Sequence, residues 1–227
     1  SFLHAIAAIQ VPLIAIDEAH CISSWGHDFR PSYRSISKLL TVWPVTPSII
    51  ALTATATDEV CKDIRDILQI PIEHSFISGF ARTNLTFSVL TGENRDKYIL
   101  NYVKANVNQA GIIYCSTRKA VEHVYDILAR ANIPVGKYHG GMMEGDRTYE
   151  QNRFINDETL VMVATNAFGM GINKTNVRYV VHYQMPRNIE SYYQEAGRAG
   201  RDGVQSDCIL LYSSQDEMTQ RFLIDQS

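Results

Sequence analysis

The sequence predicts an α/β fold built on parallel β-sheet. Three observations carry that expectation. Short apolar runs recur along the chain, each reading as a strand buried on both faces. Between them lie stretches whose apolar residues fall three and four apart, the spacing of an amphipathic helix. Strand-like and helix-like segments alternate throughout, and no period of 20 to 50 residues repeats, which argues against a solenoid. At 227 residues the chain is long enough for one large domain or two small ones.

Hydrophobic residues make up 45% of the chain and charged residues 20%, the balance of an ordinary soluble protein. No apolar run approaches the roughly 18 residues of a membrane span, and no basic region precedes an apolar one at the N-terminus, so a cytoplasmic location is expected, with no membrane partner. The net charge of −3 does not mark the whole chain as a nucleic-acid binder. Such contacts would have to come from local patches, and residues 174–201 carry five basic groups against two acidic ones. Cys21, Cys61, Cys115 and Cys208 are scattered without a C-x-x-C pair, which suits reduced thiols rather than a zinc ribbon. His20, Cys21 and His27 lack a second ligand pair, so no zinc site is expected.

In chain order, residues 2–9 read as a short helix leading into the strand Leu13-Ile14-Ala15-Ile16. Asp17 and Glu18 follow where that strand ends. In open α/β sheets the carboxyl ends of the strands face the ligand crevice, which makes this a Walker-B arrangement. Asp17 would hold Mg²⁺ through water, and Glu18 would orient or deprotonate an attacking water. The loop beyond places Trp25, Phe29 and Tyr33 around Arg30. Aromatic faces beside a guanidinium suit unstacked bases, at about 1 to 3 kcal/mol per stack. The competing interpretation makes Trp25 and Phe29 core anchors. Asp17-Glu18-Ala19-His20 resembles motif II of superfamily 2 helicases, and residues 21–31 resemble the aromatic-rich loop of the RecQ DNA helicases.

Residues 31–40 read as a helix, 43–47 as a proline-containing connector and 48–52 as the next strand. The run from Thr53 to Thr57 resembles helicase motif III. The resemblance implies that Thr53, Thr55 and His20 couple the nucleotide site to the DNA side. Thr57 is placed to cap a helix whose first turn holds Asp58 and Glu59, with Val60, Ile64, Ile67 and Leu68 on its buried face. Residues 72–77 read as a strand. The stretch 79–85 resembles the RecQ segment joining two RecA-like lobes, with Thr83 where proline is usual, and sets a boundary at about Arg82.

The second lobe reads as strand 85–90, helix 95–104, strand 111–115, helix 117–130, strand 135–138, helix 144–155, strand 160–163, strand 177–182, a helix capped by Asn188, strand 206–212 and an amphipathic tail over 214–225. Ser116, Thr117 and Arg118 resemble motif IV, where free N–H groups and hydroxyls at a helix start suit a backbone phosphate. The family places the loop at His139-Gly140-Gly141 near the DNA backbone. Residues 164–174, containing Thr165 and Met170, resemble motif V, and the glycines there let backbone approach a ligand. Residues 194–203, from Gln194 through Arg198 and Arg201, resemble motif VI. The resemblance assigns the arginine finger to Arg201, with Arg198 also near the nucleotide.

Taken whole, the resemblance implies two RecA-like parallel-sheet lobes, the first (1–82) truncated and lacking its P-loop strand, the second (83–217) essentially complete, with 218–227 leading toward a zinc-binding region. It implies an ATP-dependent 3′ to 5′ DNA helicase of repair and recombination, associated with the nucleoid, using ATP and Mg²⁺. A P-loop would read G-x-x-x-x-G-K-[ST]. The only Gly-Lys pair is Gly136-Lys137, with Ala131 five residues before Gly136 and Tyr138 after the lysine. This chain by itself is therefore expected to be inactive as an ATPase. A module that only binds single-stranded DNA is the alternative.

Overall fold

The computed structural model describes residues 9, 11–25, 29–41, 43, 47–54, 56–77, 81–169 and 172–225. The chain forms two compact units, Ser1–Phe80 and Ala81–Ser227. In the first, β1 (Leu13–Ile16) pairs in parallel with β2 (Ser48–Ala51), Leu13 opposite Ser48 and Ile16 opposite Ala51. A 3-10 turn (Ala19–Ile22) and α1 (Pro31–Leu40) connect them, and α2 (Asp58–Leu68) follows. Ile16, Ala19, Ile22, Val60, Ile64 and Leu68 form the core. Thr57 caps α2, its Oγ1 accepting from the Val60 N–H at 3.4 Å.

Two sequence expectations fail here. β1 was expected to be covered on both faces, yet Leu13 is 49% exposed and Ile50 on β2 is 44% exposed. Among the described residues each strand has one neighbour and α2 packs on one side only. The strand expected over 72–77 is also not formed. Ile72–His74 is a 3-10 turn, and the His74 and Ser75 amides are spent on the carbonyls of Pro71 and Ile72. Phe76 is 91% exposed. The apolar pattern is present, but those residues have no strand partner among the described residues.

The second unit carries six parallel strands: β3 (Leu85–Thr91), β4 (Ala110–Tyr114), β5 (Val135–Tyr138), β6 (Val161–Ala164), β7 (Val177–His182) and β8 (Ser206–Tyr212). Their spatial order is β3-β8-β7-β4-β6-β5. The helices are α3 (Arg95–Ala105), α4 (Arg118–Arg130), α5 (Glu144–Ile155), α6 (Ile189–Ala196) and α7 (Ser214–Asp225). On one face Ile99 and Val103 of α3 and Val121, Val124 and Leu128 of α4 pack on Ile113, Val163 and Val181. On the other, Phe154 of α5 and Ala196 of α6 pack on Ile112, Met162 and Val180. Asn94, Thr117 and Asn188 cap α3, α4 and α6 through side-chain oxygens. Arg95 grips Asp216 through both guanidinium nitrogens and so ties the start of α7 to α3.

The chain leaves β4 through α4 toward β5, whereas it leaves β7 through α6 toward β8 on the opposite side. The carboxyl ends of β4 and β7 thus flank a topological switch point, the usual place for a crevice in such a sheet. A cleft of about 200 Å³ lies there, lined by Ser116, Asn166, His182, Gln184, Arg187 and Gln220 among others.

One buried charge supports the floor of this unit. Lys174 Nζ lies 2.6 Å from Asp157 Oδ1 and over the Phe154 ring, and that hydrogen bond holds the Asp157 carboxyl below its ordinary range. A depressed carboxylate stabilises the fold above its unfolded pKa, and the contribution is lost as pH falls through the folded value. Asp157→Asn leaves the buried ammonium without its counter-charge. It is expected to destabilise the unit by about 1 kcal/mol, discounted because Asp157 is half exposed. Urea melts of both proteins should converge in acid. A gap unchanged from neutral pH to pH 3 would reject the ion-pair account.

Candidate functional site

Asp17 and Glu18 stand exposed at the end of β1. The backbone turns sharply there. Glu18 sits in the left-handed region at φ 50°, its N–H bonded to Asp17 Oδ1 at 2.9 Å and its carbonyl receiving the Cys21 N–H at 2.9 Å. This turn brings His20 under the acid. His20 Nδ1 lies 3.3 Å from Glu18 Oε2 and 3.0 Å from Thr53 Oγ1. An ionised carboxylate can only accept, so Nδ1 carries the hydrogen and Nε2 faces Cys21 Sγ at 3.8 Å. Backbone bonds Leu52 N–H to Ile16 O and Ala19 N–H to Leu52 O, 2.8 and 2.9 Å, fix the two strand ends side by side. The buried imidazole therefore links the acid after β1 to the hydroxyl after β2. Two exposed carboxylates at a strand end are a hard-oxygen set suited to Mg²⁺. Thr55 lies outside the described residues.

Trp25 is 73% exposed, with its N–H on Ser23 Oγ at 3.2 Å, and Phe29 is exposed as well. Neither is a core anchor. Tyr33 alone of the three packs partly on the core of the first unit, and Arg30 is half-buried. Arg34, three residues beyond Pro31, lies 5.3 Å above the Phe29 ring. Arg34 also donates to Ser24 Oγ at 3.3 Å.

In the second unit, three donors converge on the backbone after β6. Tyr114 Oη donates to the Phe168 carbonyl at 2.9 Å, Arg198 Nη1 to Gly169 O at 2.7 Å, and Arg201 Nη1 to Ile172 O at 3.1 Å. Each arginine gives one N–H to this loop, Arg198 also meets the Tyr114 hydroxyl, and Arg198 Nε is buried without a partner among the described residues. Partial burial and the charge of Arg198 lower the pKa of Arg201. A Cβ on Gly169 would lie 2.2 Å from Arg198 Nη2. The glycine expected to admit a ligand thus makes room for Arg198. Arg82 holds the turn that carries both arginines, donating to the carbonyls of Gly197, Ala199 and Gly200 at 3.4, 3.1 and 2.6 Å, and Asn84 adds bonds to Gly200 O and Val204 O. Gln194 is half-buried near the end of α6. Just before the arginines, Glu195 meets His182 Nε2 at 2.8 Å, both side chains buried.

The remaining expected DNA contacts divide sharply. Ser116 is not free: its N–H goes to Gln184 Oε1 at 3.1 Å, and its hydroxyl donates to Met185 O and accepts from Gln220, each at 3.1 Å. Thr165 is buried, its amide bonded to Tyr138 O at 3.1 Å. His139 is buried with both ring nitrogens engaged. Arg118 is exposed. Met170 lies outside the described residues.

Residues 94–203 match the helicase conserved C-terminal domain and residues 3–64 the DEAD/DEAH box helicase family. The chain is 56% identical over 226 residues, all of its length, to the ATP-dependent DNA helicase RecQ of Bacillus subtilis, covering 38% of that protein. The chain belongs to the RecQ family of helicases. It is also 47% identical to a putative ATP-dependent RNA helicase, R290, of Acanthamoeba polyphaga mimivirus, over 96% of this chain and 40% of that one. The chain thus spans about two fifths of the length of these two relatives. Among solved structures, yeast Dbp5 bound to RNA and ADP-BeF₃ matches with a TM-score of 0.72 at 18% identity, over 99% of this chain and 60% of that one, a likeness of fold.

Within this RecQ chain the basic stretch 174–201 is less available than its composition implies. Lys174 is committed to Asp157, and Arg178 to Asp202 at 2.5 Å. Arg198 and Arg201 face backbone carbonyls. The residues that sequence reasoning missed are Arg34, the Arg82 and Asn84 clamp, and the His182–Glu195 pair. Arg34 was signalled by its place among the loop aromatics. Nothing local marks Arg82, whose partners lie 115 to 118 residues away. Among the described residues no cluster of His, Cys, Asp or Glu could hold a metal on protein ligands alone, and no helix is long and apolar enough to cross a membrane.

Proposed function

We propose that this chain forms part of an ATP-dependent 3′ to 5′ DNA helicase, acting in DNA repair and recombination. In the whole protein Asp17 would hold Mg²⁺, which neutralises phosphate charge, while Glu18 orients the attacking water and Gln194, Arg198 and Arg201 serve the transferred phosphate. One observation carries the reading: a single buried imidazole, His20, touches both the hydrolytic acid Glu18 and Thr53. A change in Glu18's partners on hydrolysis must alter the bond to Thr53, and the same 3-10 turn leads directly into the exposed aromatic loop. That is a mechanical link from phosphate chemistry to bases stacked on Trp25 and Phe29.

The exposure of Trp25 equally suits a module that only binds single-stranded DNA. Unwinding assays with the whole protein separate the two. Trp25→Ala is expected to lower DNA unwinding at least about tenfold, the loss of one stack, with basal ATP hydrolysis nearly retained. DNA duplexes are expected to be unwound in preference to RNA duplexes. A binding-only module predicts weaker binding in Trp25→Ala and no nucleotide-dependent unwinding in either protein.

A further inference from the structure

Arg118 and Glu122 lie one turn apart on α4, the spacing at which an arginine and a glutamate pair along a helix. They do not pair. Glu122 gives Oε2 to Lys137 Nζ at 2.6 Å and Oε1 to His139 Nε2 at 2.9 Å. The imidazole has no choice of tautomer in this arrangement: Nδ1 accepts the Gly141 N–H at 3.1 Å, so Nε2 carries the hydrogen and donates to the carboxylate. These bonds hold the Glu122 carboxyl below its ordinary range, against the opposing effect of burial. Arg118, meanwhile, is exposed and has no hydrogen-bond or ion-pair partner among the described residues. Its side chain lies across the glycine turn. A Cβ on Gly141 would sit 3.1 Å from Arg118 Nη1 and 3.2 Å from its Cδ, and one on Gly140 would be 3.7 Å from Nη2.

We infer that Lys137, Glu122 and His139 form a positioning network that sequesters the natural counter-ion of Arg118 and leaves its guanidinium open for a DNA backbone phosphate. His139 then serves DNA binding without touching DNA, which accounts for a buried imidazole in a loop expected to lie at the backbone. Two functions are combined in one carboxylate. It locks the Gly140-Gly141 turn on which Arg118 rests, and while so occupied it cannot neutralise Arg118. This inference rests on the DNA-binding part of the proposed function.

The test is a double-mutant cycle read by fluorescence anisotropy of a labelled oligothymidylate on this chain, with folding checked by circular dichroism. Arg118→Ala should weaken binding roughly fivefold and reduce the salt slope by about 0.7, the value for one contact on a single strand. His139→Ala frees Glu122 to capture Arg118, and should weaken binding by a similar factor. Adding Glu122→Gln to His139→Ala should then restore most of the affinity, by a factor clearly larger than Glu122→Gln produces in the unaltered chain, which measures the generic gain from removing one negative charge. His139→Gln, which keeps an N–H for the carboxylate, should bind nearly as well as the parent. If His139→Ala does not fold, Lys137→Met enters the same cycle with Glu122→Gln.

Absence of rescue beyond the generic gain, or full affinity in His139→Ala, overturns the network. Failure of the unaltered chain to bind the oligonucleotide at all instead removes the DNA reading itself.

Discussion

Glu18→Gln in the whole protein is expected to lower ATP turnover at least about a hundredfold, the scale of a positioned general base, while nucleotide affinity changes little. Glu18 is held at φ 50° by bonds before and after it, a conformation that costs a non-glycine residue energy and that concentrates at functional sites. Its side chain is half exposed, with only one oxygen near His20. A glutamine keeps that contact, because its carbonyl oxygen still accepts from Nδ1–H, and it keeps the shape of the turn. What it loses is basicity and charge at the free oxygen. Phosphate release measured with and without DNA checks this, and turnover within threefold of the parent would exclude Glu18 as the residue acting on water. Thr53→Ala offers the complementary result. Hydrolysis should persist while its stimulation by DNA falls, because the acid is intact and the contact of His20 Nδ1 with Thr53 Oγ1 is removed.

The largest stability effect is expected at Gly111, in the central strand β4. Its register partner on β7 is Tyr179, fully buried. A Cβ on Gly111 would lie 1.9 and 2.0 Å from Cε2 and Cζ of that ring, and the ring cannot step aside. It stands edge-on to Tyr102 at 5.3 Å, Tyr102 stacks on Tyr98 at 5.9 Å, and the Tyr102 hydroxyl is fixed on Asp207 at 2.7 Å. Gly111→Ala should therefore destabilise the second unit by about 3 kcal/mol or more, read as a lower midpoint in urea at unchanged slope. Tyr179→Leu in the same background should recover part of the loss. Tyr179→Phe alone should cost little, because the hydroxyl is buried without a partner among the described residues. A Gly111→Ala protein as stable as the parent would show that the ring has space that its packing denies.

Helix caps were legible in the sequence because a cap is decided within a single turn. Thr57 and Asn188 each accept the N–H three residues on, and Val60, Ile64 and Leu68 of α2 are buried as their spacing predicts. The acid pair, its histidine and the exposed aromatics were legible for a similar reason: they occupy one continuous stretch whose residue types carry the chemistry. The expected strand at 72–77 shows the limit of that logic. Its residues have strand character, but a strand exists only where another edge accepts its hydrogen bonds, and no residue near 72 encodes that.

The sequence alone thus determined the alternation of strands and helices, the capped helix starts and the family to which the acids, the glycine-rich loop and the paired arginines belong, all set by neighbours within a few positions. Tertiary structure decided which polar groups are available. Ser116 and His139 looked like exposed donors and are committed. Lys174 looked like part of a basic patch and is buried against Asp157. Glu122, one helical turn from Arg118, is taken by Lys137 and His139 instead. A charge is free or quenched according to what the fold brings within about 4 Å of it, and those partners arrive from distant parts of the chain, as Arg82 does at the turn of Gly197 to Gly200.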